Sequence, residues 1–432
     1  MIMGEIKVKF KKCFSKSLLA SKIMIEDFAF KCSNRISLSY FTRSGKMGFK
    51  ETILFMLNMI NKSVQVELNK FFEVIFRKDD SVSKQAFCEN RQKIYPKVFI
   101  DLNDRINKVI YEECDEYQLW NGYRLSAIDG TSIELPNTEL LRNEFGHAKN
   151  QYVTGAVARA SASCIFDVIN KIVIKSKIDK YNTSERKMAE QMILEMIATS
   201  SMKELILFDR GYPSSELISK LIENNVYFLM RLSSKTFKTL IKADEQDQII
   251  EIKYKNKLYT ARVIRFFLDS GVEEILITNL FDESLKLQDF KQLYFKRWAV
   301  EIKYDELKNR LEIENFSGTT KIAIEQDFYA SIYLSNMIEL ARKDSDDIIK
   351  SERENKDNKH EYKTNLNVLI GSLKDKLILM FLEPSPRKRN KMYTDIMKQV
   401  AKSSIPIRID RQSPRIKRIG RGKYRKNKKR SL

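Results

Sequence analysis

The stretch YFKRWAVEIKYDELK, residues 294–308, contains no proline or glycine and has the composition of a helix. At about 100° per residue, Tyr294, Arg297, Glu301 and Lys308 fall within roughly 60° of one another. One stripe then carries a phenol, a guanidinium, a carboxylate and an ammonium. Phe295 and Ile302 flank it on one side, Val300 and Leu307 on the other. A carboxylate between apolar shoulders, with cations beside it, suits a metal held near phosphate. The same pattern also describes a wet helix face with ordinary charge pairs four residues apart, so the surrounding sequence has to decide.

The chain has 432 residues, 43% of them apolar, enough for two or three domains and a large core. No run of about 18 uncharged apolar residues occurs, so no membrane span is expected. The N-terminal lysines are not followed by a continuous apolar segment, which argues against secretion. Cys13, Cys32, Cys88, Cys114 and Cys164 are widely spaced and form no CxxC pair; they read as reduced thiols of a cytosolic protein. Only two histidines occur, His147 and His360, which argues against zinc or a Ser/His triad. His147 is expected in a loop. The net charge of +21 is uneven: Pro386 to Leu432 holds 18 Lys/Arg against Asp395 and Asp410, or +16. Such a segment fits a polyanionic partner, although the last 15 residues alone read equally well as a solvated tail.

Residues 1 to about 115 lack strand alternation and are expected to be helical. A long amphipathic run covers Phe49 to Phe76, and a second helical stretch, Ser83 to Val109, is broken by Pro96. Ser83, Lys84, Gln85, Asn90, Arg91 and Lys93 would reach DNA from a helix-turn-helix, but a plain helical bundle fits as well. The texture then changes. Tyr123 to Leu135 reads as a strand, 153–166 and 171–178 as a hairpin, 185–200 as a helix capped from Asn182, Thr183 or Ser184. Leu205 to Phe208 is a short strand ended by Asp209, followed by a helix at 215–224 and a strand at 226–232. The order β-β-β-α-β-α-β-α is that of a ribonuclease-H-like core, with Asp129 on its first strand and Asp209 at the end of its fourth. Alternation over 248–280 reads as a β insertion, and 329–341 and 365–381 as helices separated by a charged loop or exposed helix.

The spacing Tyr294-x2-Arg297-x3-Glu301-x6-Lys308 resembles the YREK signature of the insertion-sequence-4-type transposases, cut-and-paste enzymes with an Asp-Asp-Glu metal site. The resemblance spans roughly residues 49–425 and implies an α/β fold. A ribonuclease-H-like mixed-sheet catalytic core with a β insertion domain would be flanked by helical N- and C-terminal regions. The expected division is a helical DNA-binding domain at 1–118, a core at 119–325 with the insertion at about 235–285, a helical region at 326–385 and a basic DNA-binding tail at 386–432. Asp129, Asp209 and Glu301 are the implied catalytic and metal-binding residues. Helical geometry leaves Asp305, at about +20° on the stripe, open as a third ligand; the family spacing selects Glu301.

Three converging carboxylates can hold two divalent cations for in-line attack on a phosphodiester. Hard oxygen ligands favour magnesium, with manganese as substitute. Tyr294, Arg297, Lys308 and Arg210 are expected against DNA phosphate, and Trp298 in the core rather than on a base. The implied function is excision of element ends and their joining to target DNA, through hairpin ends, by a homodimer on double-stranded inverted-repeat ends in the bacterial cytoplasm at the nucleoid. The alternatives are a ribonuclease-H-like nuclease or resolvase without strand joining, and an inactive DNA-binding remnant.

Overall fold

The computed structural model describes residues 13–148, 156–233, 236–241, 245–268, 270–354 and 359–408. Before the first strand run α1 (Cys13–Glu26), α2 (Phe28–Asn34), α3 (Phe49–Met56), α4 (Val64–Phe71), α5 (Lys84–Arg91) and α6 (Lys97–Lys108). The run expected over 49–76 is two helices, because Met59 adopts a left-handed φ of 52° between them. Ser83 caps α5 by accepting from the Ala86 amide at 3.1 Å. Pro96 stands immediately before α6, where its missing N–H leaves no bond unmade. Arg91, offered above as a DNA contact, is buried at 1% exposure. Its guanidinium donates to Gln326 Oε1 at 2.9 Å, Ser317 Oγ at 2.7 Å and Asp327 Oδ1 at 2.7 Å. It joins α5 to the later helices and cannot reach a partner.

The sheet begins with β1 (Arg124–Glu134); α7 (Glu139–Phe145) and β2 (His147–Ala148) follow. His147 is therefore paired, opposite Ala158, rather than in a loop. Next come β3 (Val157–Asp167), β4 (Ile172–Lys180), α8 (Glu185–Ile197), β5 (Glu204–Phe208), α9 (Ser215–Glu223) and β6 (Tyr227–Arg231). β3 lies antiparallel between β1 and β4, while β1, β5 and β6 run parallel. The resulting order, β4-β3-β1-β5-β6, is the arrangement that the element order called for. β5 is buried along its whole length and β6 through its middle three residues, as a sheet covered on both faces requires.

β7 (Asp247–Tyr254), β8 (Lys257–Phe267) and β9 (Glu273–Thr278) occupy the region expected as an insertion. They continue the same sheet, since β9 pairs antiparallel with β6, β8 with β9 and β7 with β8. The free edge of β6 offers unpaired main-chain groups, and β9 satisfies them.

After α10 (Leu287–Phe295) and α11 (Ala299–Asn309), α12 (Lys321–Arg353) runs for 33 residues. It extends beyond the expected 329–341 because apolar residues, including buried Ile348 and Ile349, recur within the charged stretch. α13 (Leu366–Leu373), α14 (Lys376–Leu382) and α15 (Pro386–Lys402) complete the helical layer. α15 falls where the basic tail was expected to open. Tyr393, Ile396, Met397 and Val400 are buried on one of its faces, and α15 packs on α12. Its lysines lie on the other face, so a high charge count concealed an amphipathic helix. Residues 409–432 of the expected tail lie outside the described residues. Among the described residues no helix is long and apolar enough to cross a membrane.

Candidate active site

The parallel register sets Ala127 opposite Leu207, and two residues further along each chain come Asp129 and Asp209. β5 ends at Phe208 whereas β1 continues to Glu134. The register thus brings the two aspartates to neighbouring positions where β1 outruns β5, just past the carboxyl end of β5. Ligands of open α/β sheets bind at such ends.

The stripe of residues 294–308 approaches from the next helices, though not as one helix. α10 ends at Phe295, a 3-10 turn covers Lys296–Trp298, and α11 starts at Ala299. The tighter turn advances each residue by about 120° rather than 100°. Even so, Arg297 Nη2 donates to Glu301 Oε1 at 3.1 Å, and Arg297 Nη1 lies 3.9 Å from Asp129 Oδ2. The Arg297 side chain is buried, and neither its Nε nor its Nη1 has a hydrogen-bond partner. Burial works against its charge. Tyr294, Asp209, Glu301 and Asp129 outweigh that and hold the guanidinium above its ordinary range. One arginine therefore lies against Glu301 and Asp129 and within electrostatic reach of Asp209.

Asp129 is pushed up to about 6, first by burial and also by the charges of Glu301 and Glu185. The Gly130 amide, donating to Asp129 Oδ1 at 2.8 Å, and Arg297 act in the opposite direction. This carboxylate carries more negative charge than its surroundings balance. Among the described residues no three Asp, Glu, His or Cys side chains lie close enough to share a metal ion. The donor chemistry still fits a hard divalent cation: oxygen ligands only, from β1, the end of β5 and α11, around an under-compensated Asp129.

The remaining candidates are distributed differently. Asp305 is exposed and accepts from Asn309, away from Arg297. Arg210 is exposed beside Asp209. Tyr294, expected against DNA, is buried, and its hydroxyl has no partner; a phenol so enclosed does not present itself to a phosphate. Lys308, also expected against DNA phosphate, donates to Thr131 Oγ1 and to the Ser132 carbonyl, both at 2.8 Å. Trp298, expected in the core, is 46% exposed and lies under the Arg297 guanidinium, 4.9 Å from ring centre to Cζ. The tight turn accounts for this, because it rotates Trp298 outward together with exposed Phe295 and Ile302.

Three further residues at the site were missed. Glu185, at the start of α8, lies over Gly130: a Cβ there would stand 2.5 Å from Glu185 Oε1. The glycine after Asp129 was the available signal. Tyr304 and Ser163 both donate to the Asp129 carbonyl, at 3.0 and 2.9 Å. Tyr304 shares the stripe of Glu301, but an apolar reading of tyrosine hides such a role.

A probable transposase for insertion sequence element IS5377 from Geobacillus stearothermophilus is 23% identical over 144 residues. That stretch is 31% of this chain and spans only 38% of the relative. The chain is also similar to piggyBac transposase in a cryo-EM structure of its synaptic complex with hairpin DNA. The TM-score is 0.44 at 12% identity, over 92% of this chain and 87% of that one. The family model of the transposase DDE domain matches residues 120–337, half of the chain, a span within which Asp129, Asp209 and Glu301 lie. This chain belongs to the transposase DDE domain family.

Proposed function

We propose that the chain is a cut-and-paste DNA transposase, which cleaves phosphodiesters at the ends of its element and joins those ends to target DNA. The observation that carries this reading is the position of Arg297 against Glu301 and Asp129 and within electrostatic reach of Asp209, in a segment of the transposase DDE family. The three carboxylates would hold divalent cations, magnesium with manganese as substitute. When bound, such ions activate the attacking oxygen and stabilise the leaving one.

The chain's own groups supply position and charge. Arg297 holds Glu301 by a hydrogen bond, and its buried guanidinium sets a positive charge behind the carboxylates, with Nε and Nη1 left unpaired. Exposed Arg210 adds a second cation beside Asp209. Lys308, tied to β1, contributes charge from behind. Exposed Trp298 offers an aromatic face next to the site. The partners are double-stranded inverted-repeat ends and target DNA at the nucleoid. A homodimer would act on paired ends, with hairpin ends as intermediates. The spacing of Tyr294, Arg297, Glu301 and Lys308 supports the narrower assignment to the insertion-sequence-4 type. The helices before β1 and the basic C-terminal segment are the natural DNA-holding parts. Each phosphate neutralised by the basic segment contributes about 0.9 to the log–log salt slope on duplex DNA. Deleting residues 412–432 should flatten that slope.

The test is incubation with a plasmid carrying the element flanked by its own inverted repeats, in magnesium. Excision with joining to a second plasmid is expected. Cleavage without any joining would replace the transposase reading with a nuclease.

A further inference from the structure

Asp129 lies on a strand and Glu301 on a helix, and something must hold the two at a set separation. The main-chain carbonyl of Asp129 accepts two side-chain hydrogen bonds, from Ser163 Oγ on β3 and from Tyr304 Oη on α11. Tyr304 is buried and stands three residues after Glu301, on the same face of α11. Its hydroxyl therefore ties the helix that carries Glu301 to the residue that carries the Asp129 carboxylate. Four residues on, Lys308 ties the same helix face to Thr131 and Ser132. Lys308 stands two turns from Glu301 and grips β1 beyond Asp129, so it fixes the helix direction. Tyr304 stands within one turn and fixes the distance at the site.

We propose that Tyr304 is a positioning residue for phosphodiester cleavage: its bond to the Asp129 carbonyl sets the separation of the Asp129 and Glu301 carboxylates. This rests on the reading of those two carboxylates as cation ligands. Groups that orient ligands from outside the coordination sphere typically control metal affinity by roughly 10–100-fold. A misplacement of about 1 Å at reacting atoms can slow chemistry by roughly 10²-fold.

Tyr304→Phe keeps the ring and removes only the hydroxyl. The full-length wild type and variant are titrated with Mn²⁺, the free ion being read by electron paramagnetic resonance. Cleavage of labelled end DNA is followed in parallel over a range of Mg²⁺. Mn²⁺ affinity should fall by roughly ten-fold and the Mg²⁺ midpoint should rise by a similar factor. The rate at saturating Mg²⁺ should change much less. Tyr333→Phe removes another buried hydroxyl, one that donates to Ser21 Oγ at 2.8 Å; it should leave both midpoints unmoved. Should Tyr304→Phe fail to fold, Ser163→Ala removes the other donor to the same carbonyl and should shift the midpoints in the same direction by a smaller factor. Wild-type midpoints in the variant that folds, or an equal shift in Tyr333→Phe, would overturn the inference. A wild type that binds no Mn²⁺ and cuts nothing would remove the proposed function as well. A wild type that binds Mn²⁺ and cuts end DNA leaves only the role of Tyr304 at stake.

Discussion

At the start of β1, Arg124 donates from Nε to Glu204 Oε2 at 3.1 Å and from Nη2 to Glu204 Oε1 and Ser200 Oγ. Both members of that pair are 3% exposed. Beside them Asp167 accepts from Tyr111 Oη, the amides of Ile169 and Asn170, and Asn170 Nδ2, all at 2.7–3.0 Å. Where the same strand outruns β5, Arg297 also sits among carboxylates. It makes one hydrogen bond to them, leaves Nε and Nη1 without partners, and faces acids that are partly open to solvent. In the first cluster both oxygens of Glu204 and both of Asp167 are paired with donors of the chain itself. The second has buried donors without partners, an acid pushed up to about 6, and carboxylates partly open to solvent. Buried polar groups are nearly always satisfied in folded proteins, and two nitrogens of Arg297 depart from that rule beside two acids. Two arginine–carboxylate clusters on one strand thus differ in their bonding: one is paired within the chain, and the other leaves arginine nitrogens unpaired beside partly exposed acids.

The sharpest way to break this contrast is to neutralise acids at both clusters. Asp129→Asn, Asp209→Asn and Glu301→Gln should each lower strand cleavage by at least roughly 10⁴-fold, because each takes a ligand from a site that needs its cations placed. DNA binding, read by gel shift, should persist. Asp305→Asn should cleave normally. Loss of cleavage in Asp305→Asn with activity retained in Glu301→Gln would reassign the third ligand.

Stability should respond in the reverse order. Arg124→Ala leaves Glu204 buried without its partner and should destabilise the chain by about 3–5 kcal/mol in denaturant melts. Arg124→Met combined with Glu204→Leu should recover most of that. A small effect of Arg124→Ala would show that the Arg124 cluster is not what holds the strand ends together.

Asp129 gives the comparison a pH signature. Its folded-state pKa is about 6 against an ordinary 3.8, so the folded chain holds the extra proton between those values. The associated stability is complete below about pH 3.8 and is lost as pH rises through about 6. Without divalent ions, Asp129→Asn should therefore be more stable than wild type at pH 7–8, by up to about 3 kcal/mol, with the advantage fading towards pH 4. Added Mg²⁺ should stabilise the wild type and not the variant. A variant less stable than wild type at pH 8 would contradict the charge imbalance assigned to Asp129.

The smallest expected effect is that of Arg297→Met. It removes one hydrogen bond to a charged group and should cost about 2 kcal/mol, less than Arg124→Ala. On labelled end DNA it should slow hairpin formation and resolution more than first-strand nicking, and Arg297→Lys should restore only part, since one ammonium cannot bind bidentately. Equal slowing of every species in the time course would point to general loss of affinity.

Much of this was legible before the structure, and the limits are physical. The parallel core could be read because short apolar runs, turns and helix caps alternate in a fixed order. Asp129 was read on the first strand and Asp209 at the end of the fourth, and four fixed residues proposed Glu301 as the third carboxylate. Periodicity states which residues share a face, not what the face meets. It grouped Tyr294, Arg297 and Lys308 with Glu301 but could not tell that Tyr294 is enclosed and Lys308 tied to β1. Nothing in residues 294–308 marks the 3-10 turn, which turns Trp298 out of the core. Arg91 looked like a DNA contact because arginine is usually exposed; its partners Ser317, Gln326 and Asp327 lie more than two hundred residues away and leave no local trace. α15 was concealed by its charge, although Arg389, Tyr393, Ile396, Met397 and Val400 are spaced as one helical face.

The most direct test is to let a cation report its own position. Fe²⁺ is added to the full-length chain in place of magnesium, followed by ascorbate and hydrogen peroxide. Radicals formed at the ion then cut the nearest main chain, and the fragments are sized by mass spectrometry. Cuts clustered at residues near 129, 209 and 301, suppressed by excess Mg²⁺ and absent from Glu301→Gln, are the predicted result. Cuts near Glu204 and Asp167, or none above background, would contradict the assignment of the Arg297 cluster as the metal-dependent active site.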